Sequence, residues 1–144
     1  FLYNIMVVYF LMHRFREAAA WANRIMEDRS EMKQGVTTVT RILLPIIHFE
    51  LGHHELVENL TRSAYRYLKG KKRLYRFEKL LIQYLKNMPF SANDNEFQEG
   101  LRTLLSELER LGTEEQSTAV GMEEIVLWVK SRLTGRPMQE IICD

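Results

Sequence analysis

Apolar residues recur every three or four positions along most of the chain, which is the spacing of one face of an α-helix. No segment alternates with period two between turn residues, so the pattern predicts an all-α fold. A short final turn at about 138–142 is expected to dock back as a cap. The seven predicted helices are roughly 2–12, 15–27, 36–51, 54–68, 73–87, the apolar stripe from 97 to 111, and 114–134.

Glycines and capping residues predict where several of these helices begin and end. Gly52, Gly112 and Gly135 are predicted to end the third, sixth and seventh helices, because glycine adopts the left-handed backbone of a helix C-terminus. Residues 91–95 are polar and supply several candidate N-caps for the sixth helix. Thr113, with a glutamine three residues later, has the spacing of a capping box and is predicted to begin the seventh.

Two helix–turn–helix units share one layout at a spacing of 39 residues. The first covers about 2–26 and the second about 41–69. Helical hairpins at a constant period predict stacked repeats that bury their core only between neighbours. Arrays of this kind generally bind other macromolecules.

The first of these units resembles a tetratricopeptide repeat, or TPR. The family pattern places Trp, Leu, Gly and Tyr on the first helix, then Ala and Phe on the second. The resemblance implies stacked antiparallel hairpins in an α–α superhelix, here a degenerate C-terminal part of a longer array. The matching positions are Leu2, Ile5, Met6, Tyr9, Ala18 and Ala22, and then Arg41, Leu44, Pro45, His48, Val57 and Thr61.

The resemblance also implies a partner-binding groove, formed by the first helix of each hairpin. An asparagine such as Asn4 often holds a peptide backbone in similar proteins. The set is otherwise mostly apolar, so either the groove takes an apolar ligand or preceding repeats cover it. The residues expected to face the groove are Asn4, Val7, Leu11, Val39, Ile42, Ile46 and Glu50.

Length and composition indicate an ordinary globular chain. Its 144 residues suffice for one domain over 1–144, and 46% are hydrophobic and 27% charged. The formal net charge of +1 does not by itself indicate a nucleic-acid or membrane partner. The single cysteine, Cys143, cannot form an internal disulfide, which favours a reducing, cytoplasmic compartment.

The apolar run at residues 1–12 is too short to span a bilayer. We interpret it as a helix whose neighbours belong to a longer protein. A helix that is apolar on all sides requires protein around it. We therefore expect either a second copy of the chain to cover this helix, giving a homo-oligomer, or a hydrophobic patch.

A basic patch follows in the second hairpin, where Glu78 is the only acid between residues 61 and 80. Three interpretations remain open: a solvated helix end whose bases complement the helix dipole, a site for an acidic protein, and a nucleic-acid site in which interleaved tyrosines stack on bases. The candidate partner-binding residues in the patch are Arg62, Arg66, Lys72, Arg73 and Arg76.

The sequence contains no arrangement typical of an enzyme or of a metal site. His48, His53 and His54 lie near glutamates, but their order differs from the zinc-binding His-Glu-x-x-His motif. No Gly-rich phosphate loop occurs, and we predict neither a cofactor nor a metal. Trp21 and Trp128 are interpreted as packing residues, with Trp128 at an interface as the alternative.

The sequence therefore favours a protein–protein interaction module, or a scaffold segment, that binds a protein or peptide. The alternative is a regulatory module that binds nucleic acid through the patch at 62–76.

Overall fold

The computed structural model describes residues 2–28, 34–70, 76–87, 93–114 and 121–143. All regular secondary structure in these ranges is α-helical, which confirms the predicted fold class. The chain divides into two compact units, Phe1–Arg73 with α1–α4 and Leu74–Asp144 with α5–α8. The described helices are α1 Leu2–Leu11, α2 Phe15–Glu27, α3 Gln34–Glu50, α4 His54–Lys69, α5 Arg76–Asn87, α6 Asp94–Glu114, α7 Met122–Thr134 and α8 Met138–Ile142.

In the first unit, each helix packs against the next one along the chain, and α1 also contacts α3. Turns of three residues join α1 to α2 and α3 to α4, and helices joined so closely must run antiparallel. The first hairpin buries Met6 and Phe10 of α1 together with an alanine-rich stripe of α2. Alanine favours the helix and allows close approach. The prediction of a single domain over 1–144 stays a prediction.

The two hairpins of this unit turn in the same way. His13 has φ of +60° and Gly52 has φ of +82°, and these left-handed residues lie 39 positions apart. The Arg14 N–H donates to the Tyr9 carbonyl at 2.9 Å, and the His53 N–H donates to the His48 carbonyl at 2.9 Å. Both turns are therefore Schellman motifs, in which the left-handed residue follows the helix and satisfies its last carbonyls.

Side chains repeat with the same offset of 39 residues. The Phe10 and Phe15 rings meet edge to face at 5.7 Å between centroids, and Phe49 and His54 meet edge to face at 6.1 Å. The buried stripe of α2 recurs position by position on α4. The first unit is thus an internal repeat in its structure as well as in its sequence. The paired buried residues are Ala18 with Val57, Ala22 with Thr61, and Ile25 with Ala64.

In the second unit, α6 packs against α5 and α7, and α7 packs against α8. The Glu96 N–H donates to the Asn93 side-chain oxygen at 2.9 Å, which confirms an N-cap within residues 91–95. Trp128 of α7 is only 1% exposed. Its interpretation as a packing residue is confirmed, and so buried a side chain is not an interface anchor.

The predicted boundary between the sixth and seventh helices is wrong. The α6 helix continues through Gly112 and Thr113, and α7 begins after Gly121, whose φ is +92°. Glycine ends a helix only where it turns left-handed, and inside a helix it costs only about 1 kcal/mol relative to alanine. A Cβ on Gly112 would lie 3.7 Å from the Met122 side chain, so this glycine lies close to α7.

Candidate interaction surfaces

The outward face of α1 is uncharged and partly apolar. Val8 is 53% exposed and Met12, just beyond the helix, is 43% exposed. Of the predicted groove residues, Asn4 is exposed and Val7 and Leu11 are half-buried. Within the described ranges, no helix has the length and apolar character needed to cross a membrane.

The predicted groove residues of α3 require a correction. Ile42, Ile46 and Val39 are 0%, 1% and 2% exposed, so they do not line an open groove. The reason is that α3 packs against α2 as well as α4 and also contacts α1, so neighbouring helices cover it on more than one side. Glu50, at the end of α3, remains half-buried.

The predicted basic patch falls partly on the outer face of α4. Arg62 and Arg66 are exposed there, one turn apart, and the exposed Lys69 continues the same face because three- and four-residue steps align on a helix. Lys72 and Arg73 lie outside the described residues. Arg76 is exposed at the start of α5, in the second unit.

A further cation lies beside α4 and was not among the predicted residues. The Arg41 guanidinium of α3 stacks on the Tyr67 ring at 4.3 Å from its centroid, a cation–π contact. The Arg41 Nε is buried and makes no hydrogen bond within the described part of the chain. The sequence could not reveal this contact, since the two residues lie on different helices.

The histidines between α3 and α4 form a pair. The Nδ1 atoms of His48 and His53 lie 3.0 Å apart, so one donates a hydrogen bond to the other. The pair occupies the place where Arg14 stacks on the Tyr9 ring in the first hairpin, 5.3 Å from its centroid. Side-chain contact across this turn is usual in a Schellman motif. We therefore assign the pair a structural role; the described residues contain no group of three metal-ligating side chains.

The first unit should lose stability as the pH falls through about 6.5. Burial, and secondarily the charge of His53, lower the pKa of His48 below its ordinary value of 6.5. In mild acid, the unfolded chain therefore binds a proton before the folded chain does, and unfolding becomes more favourable. The loss should level off once the pH is below the pKa of the folded state.

Urea unfolding measured from about pH 8 to about pH 5 tests this. The His48→Gln variant should show a weaker dependence of its midpoint on pH than the wild type. His54→Gln removes a histidine next to the pair and serves as the matched control. Equal pH dependence in the wild type and His48→Gln would contradict the assignment.

A polar cluster joins three helices of the second unit. Burial raises the pKa of Tyr84 on α5 to about 12, and the Arg132 guanidinium of α7 acts in the opposite direction. The same guanidinium lies over the Phe97 ring of α6 at 5.7 Å from its centroid. A Cβ on Gly100 would lie 3.8 Å from the Tyr84 ring. The cluster thus holds α5, α6 and α7 together; the sequence predicted Tyr84 as part of an inward stripe but gave no sign of Arg132.

Comparisons of the chain with protein-family models, with curated proteins and with solved structures return no match. The resemblance to tetratricopeptide repeats therefore stays a prediction from the residues quoted above.

Proposed function

We propose that the chain is a protein–protein interaction module, a scaffold segment built from degenerate TPR-like repeats in a cytoplasmic protein. The binding surface in this proposal is the outward face of α1. It comprises Asn4, Val8 and Met12, with Val7 and Leu11 at its edges.

The observation that carries the proposal is a contrast between equivalent helices of the repeat. Val8 of α1 is 53% exposed, whereas Ile47, its equivalent 39 residues later on α3, is 0% exposed. Asn4 is exposed and its equivalent, Leu43, is buried. Since α3 packs against the preceding hairpin, α1 presents to solvent a surface that its equivalent uses for packing on protein.

The chemistry of this surface favours a protein as its partner. Burying apolar side chains releases about 25 cal/mol for each Å² removed from water, and no charge on α1 opposes this. Scattered exposed apolar residues are common on proteins, but neighbouring ones on an uncharged helix are typical of an interaction site. The exposed amide of Asn4 adds a hydrogen-bonding group that fixes the orientation of a partner backbone.

Loss of binding after a single charge is placed on α1 tests the proposal. The variant is Val8→Asp, and the matched control is Ala20→Asp, which adds the same charge at an exposed position of α2. Circular dichroism establishes that both fold. Each tagged chain is used to capture proteins from a lysate of the source cells, and captured proteins are purified and tested for direct binding; sedimentation velocity measures self-association.

A protein that binds the wild type and Ala20→Asp directly, but binds Val8→Asp at least about tenfold more weakly, supports the proposal. Self-association that Val8→Asp abolishes also supports it and identifies a second copy as the partner. Binding that is indifferent to Val8→Asp, or a chain that is monomeric and binds no protein, contradicts it.

A further inference from the structure

We propose that the outer face of α4 binds a short acidic segment of a protein partner. We define this face as the α4 basic stripe, consisting of Arg62, Arg66 and Lys69. The inference rests on the proposed function, because it specifies the chemistry of a protein partner, but it concerns a different surface from the face of α1.

The three cations of the stripe are exposed and have no acidic partners. Arg62 donates to the neutral side-chain oxygen of Asn59. No described carboxylate pairs with Arg66 or Lys69. By contrast, Arg102 and Arg110 of α6 pair with glutamates three residues before them. The stripe therefore keeps its charge available for another molecule.

The internal repeat shows that this face is not one that the helices use for packing on each other. The positions of α2 equivalent to Arg62 and Arg66 are Asn23 and Glu27, and both are exposed although α3 packs against α2. Ala19, which is equivalent to Glu58, is buried in the same packing. A helix stacked on α4 as α3 stacks on α2 would therefore leave Arg62 and Arg66 in contact with solvent.

The local charge is in excess of what α4 itself requires. Cations in the last turn of a helix complement its dipole, which accounts for Arg66 and Lys69 but not for Arg62, a further turn back. Arg41 adds a cation stacked on Tyr67, and the sequence continues with Lys71, Lys72 and Arg73. Arginine binds carboxylates with two parallel hydrogen bonds, so acidic side chains fit this face.

The length of the stripe favours an acidic peptide segment over a nucleic acid. Arg62 and Lys69 are about 10 Å apart along the helix axis, at 1.5 Å per residue. The exposed Glu55 lies on the same outer face, two turns before Arg62. A phosphate backbone that followed α4 would be repelled there, whereas two or three acidic side chains end before it.

Fluorescence anisotropy with two labelled probes tests the proposal on the purified chain. The probes are a short glutamate-rich peptide and a single-stranded oligonucleotide of equal formal charge. The test variant is Arg66→Glu with Lys69→Glu, and the matched control is Arg102→Glu with Arg110→Glu, which changes the net charge equally on α6. The neutral pair Arg66→Gln with Lys69→Gln replaces the test variant if charge reversal disturbs folding.

We expect the test variant to bind the peptide at least about tenfold more weakly than the wild type, and the control to stay within about twofold. Equal weakening by both double variants, tighter binding of the oligonucleotide than of the peptide, or no binding of the peptide would overturn the proposal. Val8→Asp should bind the peptide as the wild type does. Failure of peptide binding would leave capture through α1 unaffected, so the two proposals fail separately.

Discussion

Replacing Ile42 with alanine should lower the free energy of unfolding of the first unit by about 2–5 kcal/mol. Ile42 is 0% exposed on α3, which packs against α2 and α4. Removing three carbons there loses the transfer free energy of the buried surface and leaves a cavity that neighbouring side chains fill only in part. The effect should be on stability, because a side chain without solvent access does not contact a partner.

Urea unfolding followed by circular dichroism measures this loss. The matched control is Val8→Ala on α1, where a side chain that is 53% exposed should change stability by no more than about 0.5 kcal/mol. The two variants should also differ in function. Ile42→Ala, studied where it is still folded, should retain partner binding, whereas a change at Val8 should weaken it. A stable Ile42→Ala variant would show that this residue is not part of the core.

Replacing Trp128 with alanine should lower the free energy of unfolding of the second unit by about 3–5 kcal/mol. The indole is 1% exposed on α7, which packs against both α6 and α8. Tryptophan is the largest side chain, so its removal leaves the largest cavity that one substitution can make in this unit. A loss of this size is a large part of the stability of a small folded unit.

The other tryptophan provides a control of the same residue type. Trp21 on α2 is half-buried and stacks on the Arg24 guanidinium at 4.5 Å, so Trp21→Ala should cost less than Trp128→Ala. Thermal and urea unfolding followed by circular dichroism give both losses. A cost for Trp21→Ala equal to or above that for Trp128→Ala would contradict the assignment of Trp128 to the core.

Much of the secondary structure follows from residues that are near one another in sequence. Helical periodicity depends on neighbours three and four positions apart, and caps depend on one or two residues at each end. Gly52 and Gly135 end α3 and α7 as predicted, and Asn93 caps α6. Gly112 was predicted wrongly by the same reasoning, because glycine permits a left-handed turn without requiring one.

The candidate site was predicted less completely. Asn4, Arg62 and Arg66 are exposed as an interaction surface requires, whereas Ile42 and Ile46 are buried. An apolar residue at helical spacing has the same sequence pattern whether it faces a groove or a neighbouring helix. The distinction depends on which helix lies against it, and local periodicity carries no information about that.

The sequence by itself determined that the first unit repeats at 39 residues, that the chain is helical, and that positive charge accumulates after residue 61. The tertiary structure alone decided which apolar faces are covered. It also decided which cations lack an acidic partner, and that Arg41 meets Tyr67 while Arg132 meets Phe97. Each of these depends on the packing of helices distant in sequence, since burial and pairing are properties of surroundings that only the folded chain assembles.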